Sequence, residues 1–153
     1  MTTPRMAYRE NDARGASGVR LVVLLYEQII QDLSRAAQAL EQNDIELRTK
    51  YINHAILVIG YLQSPLDFER GGKVAKDLDH FYNVLRRSMV RAQFLASKAA
   101  LQHLITDVLA VRDAWIEVER AEQSSGTRAP NVPASTGGGS VAASKSGRMD
   151  WRG

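Results

Sequence analysis

Residues 19–41 read VRLVVLLYEQIIQDLSRAAQALE, and this stretch decides the fold. Its apolar positions fall at Val22, Leu25 and Tyr26, Ile29, Leu33, Ala36 and Ala37, and Leu40. That three-and-four spacing lines one face of a 3.6-residue helix. Ser17 stands just ahead of it as a candidate N-cap, so the pattern predicts a helix from Ser17 to about Glu41. Nowhere does the chain show the period-two alternation between turn signals that a sheet requires.

Working outward, Asn43-Asp44 breaks and recaps the chain, and a second helix carries Ile45, Ile52, Ala55, Ile56, Ile59 and Leu62. It ends ahead of Pro65, whose predecessor is pushed out of the helical region. Gly71-Gly72 marks the next turn. A third helix follows with Val74, Leu78, Phe81, Tyr82, Leu85, Met89, Ala92 and Leu95. Ser97 is a candidate cap for a fourth, with Leu101, Leu104, Ile105, Val108, Val111, Trp115 and Val118. Four helices of about 20 residues, each about 30 Å long, with short connections, predict an all-α, antiparallel up-down four-helix bundle.

Three regions follow. Residues 1–16 are polar, with Pro4 and Gly15, and form a short N-terminal leader. Residues 17–122 form the bundle. Residues 123–153 hold six Gly, six Ser and two Pro with almost no periodic apolar content, and are expected to be a disordered tail. Within it, Gly137-Gly138-Gly139-Ser140 has linker composition, and Trp151 is an isolated aromatic.

Composition narrows the function. The 153 residues contain no cysteine, which excludes disulfides and thiolate chemistry and suits a reducing cytosol. The N-terminus has no apolar h-region, so no secretory signal is expected. The most apolar run, Leu21 to Tyr26, is too short to span a bilayer, so no membrane insertion is expected. The pI near 9.4 invites a nucleic-acid reading. Yet positions 1–122 hold 16 basic and 16 acidic residues, and the net charge of +3 resides in the tail. No basic face is concentrated on the bundle, and nucleic acid is not an expected partner.

Enzyme signatures are absent. Asp77-Leu78-Asp79-His80 supplies one Asp-x-x-His half-motif, but Tyr51 precedes His54 and Ala100 precedes His103 at the matching spacing. No metal or other cofactor is expected, and His80 is placed on a solvated or partner-facing surface. His54 is followed by an apolar run without the lysine that a phosphotransfer histidine needs, and there is neither a phosphate-binding glycine loop nor a nucleophile elbow.

What stands out is surplus apolar surface. Between Val19 and Ile30, nine of twelve residues are apolar. A core-facing stripe accounts for Val22, Leu25, Tyr26 and Ile29, and leaves Leu21, Leu24 and part of Val23 to another side. In the second helix Leu57, Val58 and Tyr61 flank the stripe in the same way. Three arrangements accommodate this: a central helix buried all round, a groove for a partner's apolar helix, or a leader carrying Met6 and Tyr8 folded back over the surface.

Several stretches, in order and spacing, resemble the flagellin-specific export chaperone family over about residues 6–120. They are Ala7-Tyr8, then Ala16-Ser17 leading into Leu21 and Leu24-Leu25-Tyr26-Glu27; Gly71-Gly72, Ala75, Leu78, Phe81-Tyr82 and Arg87, ending at Ala92; and Arg112-Asp113-Ala114-Trp115. Gly18 stands where the family usually has Pro, Arg20 where it often has Glu or Gln, and Gln93 where it tends to have Asn. The resemblance implies a cytosolic, non-enzymatic chaperone, monomeric or weakly dimeric. It would bind the C-terminal segment of flagellin, which is disordered in the monomer and helical in the filament, block premature polymerisation, and deliver the subunit to the flagellar export gate. Tyr8 maps onto the family's gate-contacting leader. The expected partner-binding surface comprises Tyr8, Leu21, Leu24, Leu25, Ile52, Ile56, Ile59, Phe81, Tyr82 and Leu85. The competing reading is a structural or assembly bundle that self-associates through the same apolar face.

Overall fold

In the computed structural model, residues 7–8 and 18–134 are described, with side chains to residue 124. The four expected helices are present: α1 (Gly18–Glu41), α2 (Ile45–Gln63), α3 (Phe68–Leu95) and α4 (Lys98–Ala134). The candidate cap Ser17 lies outside the described residues, as do residues 1–6, 9–16 and 135–153, including Met6, Gly137-Gly138-Gly139-Ser140 and Trp151.

Local chemistry sets the boundaries. The Asp44 carboxylate accepts from the Leu47 N–H and caps α2, while Asn43 takes a positive φ to close the turn after α1. Asp67 caps α3 by accepting from the Arg70 N–H, and Ala96 ends it in the left-handed region. The Ser97 hydroxyl accepts from the Ala100 N–H, as a cap for α4 should. The expected turn at Gly71-Gly72 is a kink: one helical turn precedes it, and Gly72 (φ 50, ψ −125) reorients the chain into the long part of α3. Only glycine holds that conformation without strain.

Polar contacts between helices fix the topology. Glu41 pairs with Lys98 at one end of α1, and Glu27 pairs with Arg112 farther along, so α4 runs antiparallel to α1. Arg48 meets Gln93 while Gln63 meets Asp79 and Asn83, so α3 runs antiparallel to α2. The buried core is the predicted stripe: Val22, Tyr26, Ile29 and Leu33 from α1; Ile52, Ala55, Ile59 and Leu62 from α2; Ala75, Tyr82, Leu85 and Met89 from α3; and Leu101, Leu104, Val108 and Trp115 from α4.

Two details of the sequence reading change. Ile45 and Leu95, read as stripe positions, are exposed, because both lie in terminal helical turns. And α4 does not stop at residue 122 but continues to Ala134. The compositional shift marks where the apolar stripe ends, whereas helical hydrogen bonds are local and need no stripe. By compactness the chain divides into Met1–Val118 and Glu119–Gly153. No described helix is long and apolar enough to cross a membrane.

Candidate partner-binding surface

The site is built around a leader fastened to the bundle. The Asp67 N–H donates to the Ala7 carbonyl at 2.8 Å, and Tyr8 forms an antiparallel bridge with Leu66. Ala7 also passes against Gly71 so closely that a Cβ on Gly71 would lie 2.7 Å from the Ala7 Cα. Here the absence of a side chain, rather than backbone freedom, is what glycine supplies.

The Tyr8 ring then enters the core. Its hydroxyl lies 2.5 Å from that of Tyr82, which lies 2.6 Å from that of Tyr26. Trp115 presents its ring to Tyr8 in a T-shaped contact, centroids 5.6 Å apart. The three hydroxyls link Tyr8 to α1 and α3 and satisfy polar groups that would otherwise be costly to bury.

Burial pushes the hydroxyls of all three tyrosines well above the ordinary phenol value of 10.0. A folded-state value raised above the unfolded one means that the unfolded chain releases protons first as pH rises. The associated stability is therefore intact below about pH 10 and declines above it. Alkaline titration should show phenolate absorbance from these residues rising together with loss of circular dichroism. Their ionisation before any loss of helix would contradict the buried network.

The apolar crest of α1 is exposed. Leu21 and Leu24 are 52% and 45% exposed, which overturns the arrangement in which α1 is buried all round. On α2, Leu57 and Tyr61, one turn apart, are 52% and 56% exposed. A single contact relates the two rows: the Asp32 carboxylate, itself buried, lies 2.6 Å from His54 Nδ1 and also accepts from Gln28. From that register, each turn toward the start of α1 meets a turn toward the end of α2. Leu21 and Leu25 thus lie along the edge occupied by Leu57 and Tyr61. On the other side of the crest, Leu24, Glu27, Gln28, Ile30, Gln31 and Arg112 line an open groove of about 500 Å³ between α1 and α4.

The predicted site residues therefore separate. Leu21 and Leu24 are exposed; Leu25, Ile56 and Phe81 are partly buried against the core. Tyr8, Ile52, Ile59, Tyr82 and Leu85 are buried in the core itself and offer no surface in this conformation. Of the three residues read as flanking the α2 stripe, Leu57 and Tyr61 are exposed, whereas Val58 is buried in the core. The Asp32–His54 contact has a subtler signal: an aspartate beside Ile29, Leu33 and Ala36 must find a partner when buried. His80 is exposed. Among the described residues, no three His, Asp or Glu side chains converge as a metal site.

Comparison with known proteins gives this surface its context. The chain is 29% identical to the flagellar secretion chaperone FliS of Campylobacter jejuni over 116 residues, covering 76% of this chain and 91% of that one. It is 31% identical to the flagellar secretion chaperone FliSB of Pseudomonas aeruginosa over 106 residues, covering 69% and 84%. With FliS of Bacillus subtilis it shares 26% identity over 120 residues, covering 78% and 89%. The sequence model of the flagellar protein FliS matches residues 1–122, which span the leader and all of the expected bundle. The chain belongs to the FliS family.

Proposed function

We propose that this protein is a cytoplasmic export chaperone that binds the disordered C-terminal segment of flagellin, prevents premature polymerisation, and delivers the subunit to the flagellar export apparatus. The observation that carries this reading is the uncovered apolar crest of α1, Leu21 and Leu24, together with the exposed Leu57 and Tyr61 of α2. An amphipathic segment laid along it would bury its own apolar stripe and theirs together. Fully burying a large aliphatic side chain contributes about 1.5–3 kcal/mol. Four half-exposed ones thus supply several kcal/mol toward the ordering cost of a disordered ligand. The secretion-chaperone names of the relatives support the same reading.

No covalent chemistry enters. Holding requires only that the flagellin stripe be covered, and release requires only a competing surface. A stoichiometric amount of this protein should suppress polymerisation of the same cell's flagellin, followed by light scattering, and leave a soluble one-to-one complex. Unaltered polymerisation would remove the chaperone reading for that flagellin.

A further inference from the structure

The opposite edge of α2, at the far end of the bundle from the leader, has a different character. There α2 begins, α3 ends, and Ile45, Val90, Phe94 and Leu95 are all exposed, Phe94 by 87%. Val90 and Phe94 lie one turn apart on α3, on the side where Gln93 meets α2.

At this apolar end lies a buried cation, Arg48, that meets no carboxylate among the described residues. Arg48 is only 9% exposed, and its Nε donates to the neutral Gln93 side-chain oxygen at 3.1 Å. The Gln93 amide in turn donates to Thr49. A guanidinium offers five N–H donors, and among the described residues Arg48 forms no ion pair. Arg87 and Arg91, exposed on the same part of α3, form none either. The acids at this end are otherwise placed: Glu41 pairs with Lys98, and Asp44 caps α2. Glu46, two residues from Arg48 along α2, projects from a different side of the helix.

A buried charge lacking a counter-ion is unfavourable, and the strongly exposed Phe94, which follows its partner Gln93 in α3, is a second unfavourable exposure. One kind of occupant relieves both. We infer that the α2–α3 end is a second docking surface, taking an acidic amphipathic segment of a partner protein. The segment's apolar side chains cover Phe94, Val90 and Ile45, and its carboxylates pair with Arg91, Arg87 and the rim of Arg48. A second copy of this chain fits poorly, because a two-fold contact here sets Arg87 and Arg91 against their own equivalents. The surface lies on the other edge of α2 from Leu57 and Tyr61, so both can be occupied together.

The test uses the full chain, isotopically labelled, and two synthetic amphipathic helices of about 20 residues. They share a leucine stripe and differ only in carrying glutamate or glutamine on the polar face. Site-resolved amide shifts should place the glutamate peptide at Ile45, Arg48, Arg91 and Phe94, binding there at least tenfold more tightly than the glutamine twin at low salt. Phe94→Ser and Arg91→Glu, both at exposed positions, should each weaken that binding about tenfold with unchanged helicity. Equal affinity for the two peptides at these amides, shifts confined to the Leu21–Tyr61 edge, or full affinity in both variants would overturn the inference. So would sedimentation showing a dimer that Phe94→Ser dissociates.

Discussion

Replacing Leu21 and Leu24 together with lysine is expected to weaken binding of the flagellin C-terminal segment by about 100-fold or more, with melting temperature and helicity nearly unchanged. Both leucines are half-exposed in the free protein, so lysine there keeps its charge in water and its stem along the helix. Lysine is also a good helix former. In the complex the same positions would be covered. The two substitutions then remove the apolar contact and place ammonium groups where a partner's stripe would exclude water. A 100-fold loss corresponds to about 2.7 kcal/mol, within what burying two leucines contributes. Calorimetry gives the affinity and thermal denaturation the stability. Global unfolding of the double variant would show instead that Leu21 and Leu24 support the core, and unchanged affinity would move the flagellin site elsewhere.

A single methyl group should release the leader. In Gly71→Ala the new Cβ would fall 2.7 Å from the Ala7 Cα and 2.8 Å from the Ala75 Cβ, and the first of these is backbone that cannot rotate away. The expected outcome is that Ala7 and Tyr8 lift off, the Tyr8–Tyr82 hydrogen bond is lost, and the leader becomes open to proteolysis. Losing the burial of one large side chain and one hydrogen bond, offset by the regained entropy of the leader, amounts to about 2 kcal/mol. For a chain of this size that lowers the melting temperature by about 4–8 °C. The neighbouring Ala75 offers a competing explanation, and Tyr8→Ala separates the two. If Gly71→Ala acts through the leader, combining it with Tyr8→Ala should cost little more than either alone. Additive losses would place the damage in the kinked start of α3.

The extent to which the sequence foretold this structure follows from how far each signal reaches. Caps and turns depend on neighbouring residues, so Asp44, Ser97 and the Gly71-Gly72 break were legible from a few positions. Periodicity located the buried stripe of every helix, Tyr26, Ile59, Tyr82 and Val108 among them. It does not say which neighbouring helix covers which flank. For that reason the pattern alone assigns Ile52, Ile59, Tyr82 and Leu85 to the same surface as Leu21 and Leu24, while in the structure the first four are buried and the last two exposed. The surplus apolar surface raises a folded-back leader carrying Tyr8 as one of three arrangements, but the place where it fastens lies beyond local reading. The Tyr8–Tyr82–Tyr26 hydroxyl network joins residues 74 and 56 positions apart, and the Asp32–His54 contact depends on helix register. Phe94 and Arg48 illustrate the converse: each breaks an expected pattern, an exposed aromatic and a charged residue in the buried stripe. Departures of that kind point to function more directly than the pattern does.

The most direct test of flagellin binding is calorimetric titration of the full chain with a peptide from the C-terminus of the same cell's flagellin, accompanied by circular dichroism. Saturable one-to-one binding with a negative heat-capacity change and newly formed helix is the expected result, since apolar burial and coupled folding produce both. No heat and no gain of helix at high micromolar peptide would contradict recognition of that flagellin by this protein.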